Sequence, residues 1–323
     1  MQVRVTENTK EFGKCGCGRS PTGKCIGWHG LTEEKYQAAL KEFKLANVHE
    51  STVKVQELTE VTETRYHKKF TYYVNDDVIG RSLRMYGEYG QPEIDFLLSI
   101  INNITNNPTI IYDVGANIGV HATAFASTGR SQVHCFEPNP LNFDMLTLNT
   151  TGLKNVTLHK AAATNVAGDI FIQTFDPGVP GNYGEMLINN KTGVKAKAVR
   201  LDDVDIPGPN LIKIDAEGSE LGVIQGCLAR IKENLPLVYY EAQESPHLDK
   251  IYNILTEIGY QLYWGCIRNY NPENFKKNTD NVFGTSALFS VIAVPPGWAK
   301  VEGLEPVKDA QDSWKRFITV IKE

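Results

Sequence analysis

The sequence from Pro108 onwards alternates between two hydrophobic periodicities, and this alternation most constrains the fold. Short apolar runs predict buried strands, and between them apolar residues recur at helical spacing. The predicted strands are Thr109–Val114, Val133–Glu137, Val156–Ala162, Asp169–Phe175, Lys195–Leu201, Leu211–Ala216, Leu237–Ala242, Gln261–Cys266 and Ser286–Pro295. Such a pattern predicts an α/β fold with a doubly wound, mostly parallel sheet. The last two strands have no long helix between them, which predicts one antiparallel edge strand.

The remaining segments suggest a division into four parts. Residues 1–45 are rich in Gly, Lys and Cys and predict a small unit followed by a helix, for which Thr32 is an N-cap candidate. Residues 46–107 read as an N-terminal extension, and residues 108–298 as the α/β domain. In residues 299–323, apolar side chains including Trp314 and Phe317 predict an amphipathic C-terminal helix.

Composition excludes several classes of protein. The net charge of −5 and the isoelectric point near 5.9 give no basic surface for nucleic acid. No apolar run approaches the roughly 18 residues that cross a membrane, and the first residues lack an export signal. We therefore expect a cytoplasmic protein without a membrane or nucleic-acid partner, in which Cys135, Cys227 and Cys266 are buried free thiols.

A glycine-rich turn, IYDVGANIGVH, follows the first predicted strand of the domain. Glycines allow positive φ and a close approach of the backbone to a ligand. In a doubly wound sheet, ligands bind beyond the carboxyl ends of the strands. Glu137 ends the second strand about 20 residues later, where a carboxylate can accept hydrogen bonds from both ribose hydroxyls. The turn therefore indicates a site for a nucleoside-containing cofactor.

The spacing within the turn favours S-adenosylmethionine over a dinucleotide. The dinucleotide pattern G-x-G-x-x-G admits a pyrophosphate at its middle glycine, which is missing here. Asp113 precedes Gly115 by two residues and would repel a pyrophosphate but attract the amino group of a methionine moiety. Three alternatives stay open: glycines that only shape a turn, a nicotinamide-dependent oxidoreductase, and a non-catalytic binding module.

Six segments together resemble the FkbM-type methyltransferases, a branch of the class I S-adenosylmethionine-dependent enzymes. They are SLRMYGEYGQPE at 82–93, YDVGANIG at 112–119, FEPN at 136–139, AATNVAG at 162–168, RLDD at 200–203 and IKIDAEG at 212–218; the segment 281–295 is similar to the closing strand of the family. The resemblance covers residues 75–296. It implies a seven-stranded Rossmann-like sheet and methyl transfer to a hydroxyl oxygen of a small-molecule, sugar, glycan or natural-product acceptor.

The resemblance also assigns the cofactor-binding residues by position. The methionine end would be held by Asp113, Gly115, Ala116, Asn117 and Gly119. Glu137 would bind the ribose, and Asn139 and Ala162 would border the adenine. Tyr86 and Glu88 would close over the cofactor.

Two carboxylates at the end of the predicted strand Leu211–Ala216 are the catalytic candidates. Asp215 and Glu217 can share a proton, orient an acceptor hydroxyl or bind a divalent cation. The alternative for Glu217 is helix capping. Lys213 is expected to be a salt-bridge partner, and His121 a structural residue. Glu241, at the end of the predicted strand Leu237–Ala242, is a further catalytic candidate.

The N-terminal unit contains a cluster of metal-ligating residues. Cys15, Cys17, Cys25 and His29 offer three thiolates and an imidazole, which bind zinc or iron–sulfur clusters. The segment is similar to the CDGSH motif of [2Fe-2S] proteins, but it is one residue shorter, and Ile26-Gly27-Trp28 replaces Asp-Gly-Ser. Iron–sulfur, zinc and four polar residues without a metal therefore all stay open.

Overall fold

The computed structural model describes residues 30–40, 57–188, 192–243, 245–298 and 302–318. The chain divides into two compact units, Met1–Leu58 and Thr59–Glu323. In the first unit, residues 33–40 form helix α1. Thr32 Oγ1 accepts a hydrogen bond from the Lys35 amide at 3.5 Å, so the predicted N-cap is confirmed.

The second unit contains thirteen strands among its described residues. They are β1 (Thr59–Thr62), β2 (Phe70–Tyr73), β3 (Thr109–Val114), β4 (Ser131–Phe136), β5 (Val156–His159), β6 (Ala162–Ala163), β7 (Gly168–Ile172), β8 (Val194–Val199), β9 (Leu211–Ile214), β10 (Leu237–Glu241), β11 (Gln261–Arg268), β12 (Ala287–Val294) and β13 (Glu305–Pro306). The helices are α2 (Ile79–Tyr86), α3 (Gln91–Asn103), α4 (Val120–Ser127), α5 (Pro140–Asn149), α6 (Glu220–Gly226), α7 (Leu228–Asn234), α8 (Leu248–Glu257) and α9 (Lys315–Ile318).

The main sheet has the strand order β13-β11-β12-β10-β9-β3-β4-β5. Strands β5, β4, β3, β9 and β10 pair in parallel, and β12 is antiparallel to both β10 and β11. The chain winds outward from β3 to β5 and then returns to β9 on the other side of β3. This reversal between β3 and β9 confirms the doubly wound sheet and places a ligand site at the carboxyl ends of these two strands.

Two details of the predicted sheet are wrong. The sheet has eight strands rather than seven, because the two-residue strand β13 pairs with β11. The late antiparallel strand β12 also lies inside the sheet instead of at its edge. Its sequence ALFSVIAV is almost continuously apolar, and its last six residues are buried, as expected for a strand with neighbours on both sides.

The C-terminal segment departs from the predicted amphipathic helix. Among the described residues of 299–323, only Lys315–Ile318 are helical. Asp309 and Asp312 accept hydrogen bonds from nearby backbone amides, which favours turns over helix. Trp314 and Phe317 instead stack on Phe289 of β12 with ring centroids 5.0 and 6.1 Å apart. The apolar side chains therefore pack on the sheet, but without a continuous helix.

The core lies on both faces of the main sheet. On one face Tyr112, Ile212 and Tyr240 pack in an apolar cluster, and on the other face Ile111 and Tyr239 pack with helices α3 and α4. A separate three-stranded sheet, β6-β8-β7, contains the antiparallel pair β7–β8. Of the three isolated cysteines, Cys135 and Cys227 are buried, but Cys266 is exposed because it lies towards the end of β11. Within the described ranges, every helix is too short or too polar to cross a membrane.

Candidate active site

A cavity of about 360 Å³ lies at the carboxyl ends of β3, β4, β9 and β10. Its volume is within the range of small-molecule sites. We call the part next to β3 and β4 the β4 half, and the part next to β9, β10 and the β11–β12 connection the β10 half. Eight of the predicted site residues line the cavity: Gly115, Ala116, Asn117, Glu137, Asn139, Ala162, Asp215 and Glu217.

The glycine turn joins the ends of β3 and β9. Gly115 has φ +77°, and a Cβ atom there would lie 1.7 Å from the backbone oxygen of Asp215. Only glycine permits this approach of the two strand ends. Gly119 has φ +97° and contacts α5, where a Cβ atom would lie 2.9 Å from Leu146. Gly119 thus packs α4 against α5 and does not itself line the cavity.

Glu137 is fixed at the end of β4 by two backbone amides. Its Oε2 accepts a hydrogen bond from the Asn117 amide at 2.9 Å, and its Oε1 accepts one from the Asn139 amide at 2.8 Å. The residue is only 5% exposed, and this burial raises the pKa of its carboxyl to about 7. Each oxygen keeps a second lone pair, so the carboxylate can still accept the two hydroxyls of a ribose.

The rest of the β4 half is formed by short segments that α5 holds in place. Asn139 uses its side chain to cap α5, accepting a hydrogen bond from the Leu141 amide at 2.9 Å. Asn142 on α5 donates to the Tyr183 carbonyl at 3.2 Å, which holds the segment 182–188 over this half. Ala162 contributes from β6. The segment 182–188 therefore borders the predicted cofactor residues.

Three carboxylates converge in the β10 half. One oxygen each of Asp215, Glu217 and Glu241 lies within 4.8 Å of the others. Burial, reinforced by the charges of Asp215 and Glu217, raises the pKa of the Glu241 carboxyl well above its usual range. The arrangement can share a proton with an acceptor hydroxyl or supply oxygen ligands to a divalent cation.

Lys213 is buried between two of the predicted acidic residues. Its Nζ lies 3.3 Å from Asp215 Oδ2 and 3.6 Å from Asp113 Oδ1. Burial by itself would lower the pKa of Lys213, but the charges of Asp215, Asp113 and Glu93 outweigh it and raise the pKa. Lys213 therefore stays charged and forms the salt bridges that the sequence predicted.

Asp113 lies beside Lys213 and not in the cavity wall. The two residues are direct neighbours in the parallel pairing of β3 and β9. Side chains at neighbouring positions of parallel strands lie on the same face of the sheet. Asp113 is fully buried there, and neither carboxylate oxygen has a hydrogen-bond donor among the described residues. Its charge thus acts on Lys213 rather than directly on a ligand.

Tyr86 and Glu88, predicted to close over the cofactor, also lie outside the cavity wall. Glu88 accepts hydrogen bonds from Asn271 Nδ2 at 2.7 Å and from the Phe275 amide at 2.8 Å. The Tyr86 hydroxyl donates to the Asp280 carbonyl at 2.6 Å. Both side chains therefore hold the connection 269–286 between β11 and β12, and this connection contributes to the β10 half.

Sequence reasoning missed an acid and undervalued a histidine in the β10 half. Glu93 and His121 both line the cavity and are buried, with His121 Nε2 3.5 Å from Glu93 Oε2. An acid in the first turn of α3 is explained in sequence terms by helix capping, and nothing in the local pattern places it beside α4. Arg268, at the end of β11, is a further missed residue of the cavity wall.

The predicted metal ligands Cys15, Cys17, Cys25 and His29 lie outside the described residues. Within the described part of the chain, Asp215, Glu217 and Glu241 form the one group of three potential metal-binding side chains.

Comparison with known proteins supports the resemblance seen in the sequence. Residues 113–262 match the methyltransferase FkbM domain. The hexuronic acid methyltransferase AglP of Haloferax volcanii is 33% identical over 143 residues, which are 42% of this chain and 58% of the relative. The match thus spans little more than half the length of that relative.

Two solved structures show distant similarity. Methyltransferase FkbM from Methylobacillus flagellatus has a TM-score of 0.41 and 20% identity over 59% of this chain and 45% of its own. A SAM-dependent O-methyltransferase from Thermotoga maritima has a TM-score of 0.39 and 14% identity over 75% of this chain and 79% of its own. The strand order itself, rather than these scores, defines the fold.

Proposed function

We propose that this protein is an S-adenosylmethionine-dependent methyltransferase that methylates a hydroxyl group of a sugar, glycan or natural-product-like acceptor. One observation carries the proposal: a carboxylate held by two backbone amides, Glu137, shares a cavity with the carboxylates of Asp215, Glu217 and Glu241. The first is suited to a ribose, and the other three to an acceptor hydroxyl. The FkbM domain match and the relative named for a hexuronic acid support the same activity.

The β4 half fits the cofactor. Glu137 would accept both ribose hydroxyls, and the backbone of Gly115–Asn117 would contact the methionine end. Asn139 and Ala162 would border the adenine. Asp113 and Gly119 would support the site without contacting the cofactor. Asp113 would hold Lys213 in place, and Gly119 would allow α4 to pack closely on α5. When bound, S-adenosylmethionine supplies a methyl group that its sulfonium already activates.

The β10 half would prepare the acceptor. An alcohol is a weak nucleophile, so a carboxylate near its oxygen assists by orienting the hydroxyl and accepting its proton. Asp215 is the proposed proton acceptor because it lines the cavity and lies beside the buried cation Lys213. Glu217 would orient the same hydroxyl. Because the pKa of Glu241 is raised, its protonated form can donate a hydrogen bond to the acceptor.

Calorimetry with S-adenosylmethionine and with NAD tests the cofactor assignment. We expect the methyl donor to bind and NAD not to bind. Binding of NAD alone would favour the oxidoreductase, and binding of neither would favour a non-catalytic module. A labelled methyl donor then tests transfer to sugars, and mild alkali classifies the product because methyl ethers resist it and methyl esters do not. An alkali-labile product would contradict methylation of a hydroxyl.

We also propose, independently of methyl transfer, that Cys15, Cys17, Cys25 and His29 bind a metal. The support is the ligand set alone: three thiolates and an imidazole in a mostly polar segment with few apolar residues for a core. A visible absorption band in anaerobically purified protein would indicate iron–sulfur, and colourless protein with one equivalent of zinc would indicate a zinc site. Protein with neither metal would refute the proposal.

A further inference from the structure

The ends of β11 and β12 extend beyond the rest of the sheet and form one wall of the β10 half. Gly265 of β11 and Glu241 of β10 both pair with Ser290 of β12, so they lie at the same level. Strand β11 continues for three more residues to Arg268, which is roughly 10 Å at about 3.3 Å per residue. Arg268 therefore lies farther out along the strand direction than Glu241. Its strand, β11, is two strands away from β10, and Arg268 lines the cavity.

Arg268 is the one cationic side chain of the cavity wall without a carboxylate partner in the described part of the chain. The other permanent cation of the wall, Lys213, lies against Asp215 and Asp113. Arg268 is exposed and makes neither an ion pair nor a side-chain hydrogen bond with any described residue. Its guanidinium is thus available to a ligand, and its planar set of donors matches a carboxylate or a phosphate.

The immediate surroundings of Arg268 suit a sugar. Asn269 donates from its side-chain amide to the Ser286 hydroxyl at 3.0 Å, and both residues line the cavity. Phe283, from the same connection, offers an aromatic ring, and Leu288 offers an apolar surface. Hydroxyl and amide groups next to an aromatic ring can bind the polar edge and the apolar face of a sugar ring together.

The charges of the cavity fix the direction in which an acidic acceptor can bind. An anionic group placed beside Asp215 and Glu217 would be repelled, whereas the same group at Arg268 would be attracted. A hydroxyl elsewhere on the acceptor would then face the carboxylates. Because Arg268 lies three residues beyond the level of Glu241 and two strands away, we expect it and the carboxylates to bind two ends of one molecule.

We propose that Arg268 binds an anionic group of the acceptor, a carboxylate or a phosphate, and thereby makes the protein selective for acidic sugars. This inference rests on the proposed methyltransferase function and names the class of its acceptor.

The test compares three acceptors that differ in charge: methyl glucoside, methyl glucuronide and glucose 6-phosphate. Methyl transfer from a labelled donor is measured with the full-length wild type, with Arg268→Gln and with Arg268→Lys. Arg81→Gln is the matched control, because Arg81 is also exposed but lies outside the cavity wall. Calorimetry with S-adenosylmethionine accompanies each variant.

We expect the wild type to use at least one charged sugar about tenfold better than methyl glucoside, through a lower KM. Arg268→Gln should lower kcat/KM for the charged sugar about tenfold, a much larger loss than for methyl glucoside, so that the preference disappears while the methyl donor still binds. Arg268→Lys should keep part of the preference. Which charged sugar is favoured distinguishes carboxylate from phosphate.

Three results would overturn the inference while the cofactor still binds: equal use of charged and neutral sugars, turnover of none of the three, or equal loss with all of them in Arg268→Gln. A loss of affinity for the methyl donor in Arg268→Gln would also overturn it, by placing the guanidinium on the cofactor. If the wild type itself binds no methyl donor, the proposed function fails as well.

Discussion

The protonation of Glu137 should control the affinity for the ribose of the cofactor. Burial raises the pKa of this carboxyl from 4.5 to about 7. A ribose diol donates hydrogen bonds, and the ionised carboxylate accepts them more strongly than the protonated group. With a pKa near 7, only about one molecule in ten is ionised at pH 6, so affinity should fall roughly tenfold between pH 8 and pH 6.

Calorimetry with 5′-methylthioadenosine measures this effect cleanly, because this nucleoside contains the ribose but neither the amino group nor the carboxylate of the methyl donor. In Glu137→Gln, affinity at pH 8 should fall by about 1–2 kcal/mol and its dependence on pH should disappear. Equal affinity of the wild type at pH 6 and pH 8 would refute the reasoning. So would a variant that keeps the wild-type slope, since another group would then be titrating.

The same pKa predicts how stability depends on pH. The folded pKa of Glu137 lies above the unfolded value of 4.5, so the folded state binds the extra proton between pH 4.5 and about 7. Stability contributed by this group is therefore present at low pH and is lost as pH rises through 7, by about 3 kcal/mol. Glu137→Gln removes this dependence on pH. Its side-chain NH₂ group would replace one of the two acceptor oxygens, leaving one backbone amide without an acceptor and lowering the free energy of unfolding by about 1–3 kcal/mol. Urea unfolding at pH 5 and pH 8 should thus show the variant to be less stable at pH 5 and close to wild type at pH 8.

Three further substitutions test the assignment of roles. Asp215→Asn should lower kcat by about 10²–10⁴-fold while the Kd of the methyl donor changes little. The surface control Asp144→Asn should change neither kcat nor Kd. Equal losses of kcat and affinity in Asp215→Asn would indicate damage to the scaffold. Gly115→Ala should prevent folding because its Cβ atom would collide with the backbone oxygen of Asp215. Gly129→Ala, at a positive φ in open space, should lower the free energy of unfolding by only about 1–2 kcal/mol. Circular dichroism and thermal unfolding compare the two variants. Glu88→Gln should lower the thermal stability and raise the acceptor KM, because the connection 269–286 loses hydrogen bonds. A change confined to cofactor affinity would instead support the sequence prediction that Glu88 closes over the cofactor.

Features that depend on local sequence could be predicted well. Strand β3 has the predicted bounds, because a run of apolar residues ended by a glycine turn defines both ends of a buried strand. The positions of Gly115 and Glu137 at adjacent strand ends follow from the parallel sheet, since carboxyl ends of neighbouring parallel strands meet at one edge. The convergence of Asp215 and Glu241 follows in the same way from β9 and β10.

Features that depend on distant parts of the chain could not be predicted. Tyr86 and Glu88 contact residues about 190 positions later, and no local pattern indicates that partner. The pairing of Glu93 with His121 requires knowledge of how α3 packs on α4. In the C-terminal segment, helical spacing of apolar residues was misleading because Asp309 and Asp312 bind nearby amides instead.

The charge that disfavours a dinucleotide in this cavity lies elsewhere than the sequence suggested. The sequence argument placed Asp113 next to the ligand, but its carboxylate lies beside Lys213 behind the turn. The conclusion holds for a different reason: Glu137, Asp215 and Glu217 all line the cavity, so a pyrophosphate that crossed from one half to the other would pass carboxylates in both. A ligand whose centre is a cationic sulfonium meets no such repulsion. For the acidic acceptor that we propose, repulsion by these carboxylates would favour binding with its charge at Arg268, so the charges proposed to favour the methyl donor would also orient the acceptor.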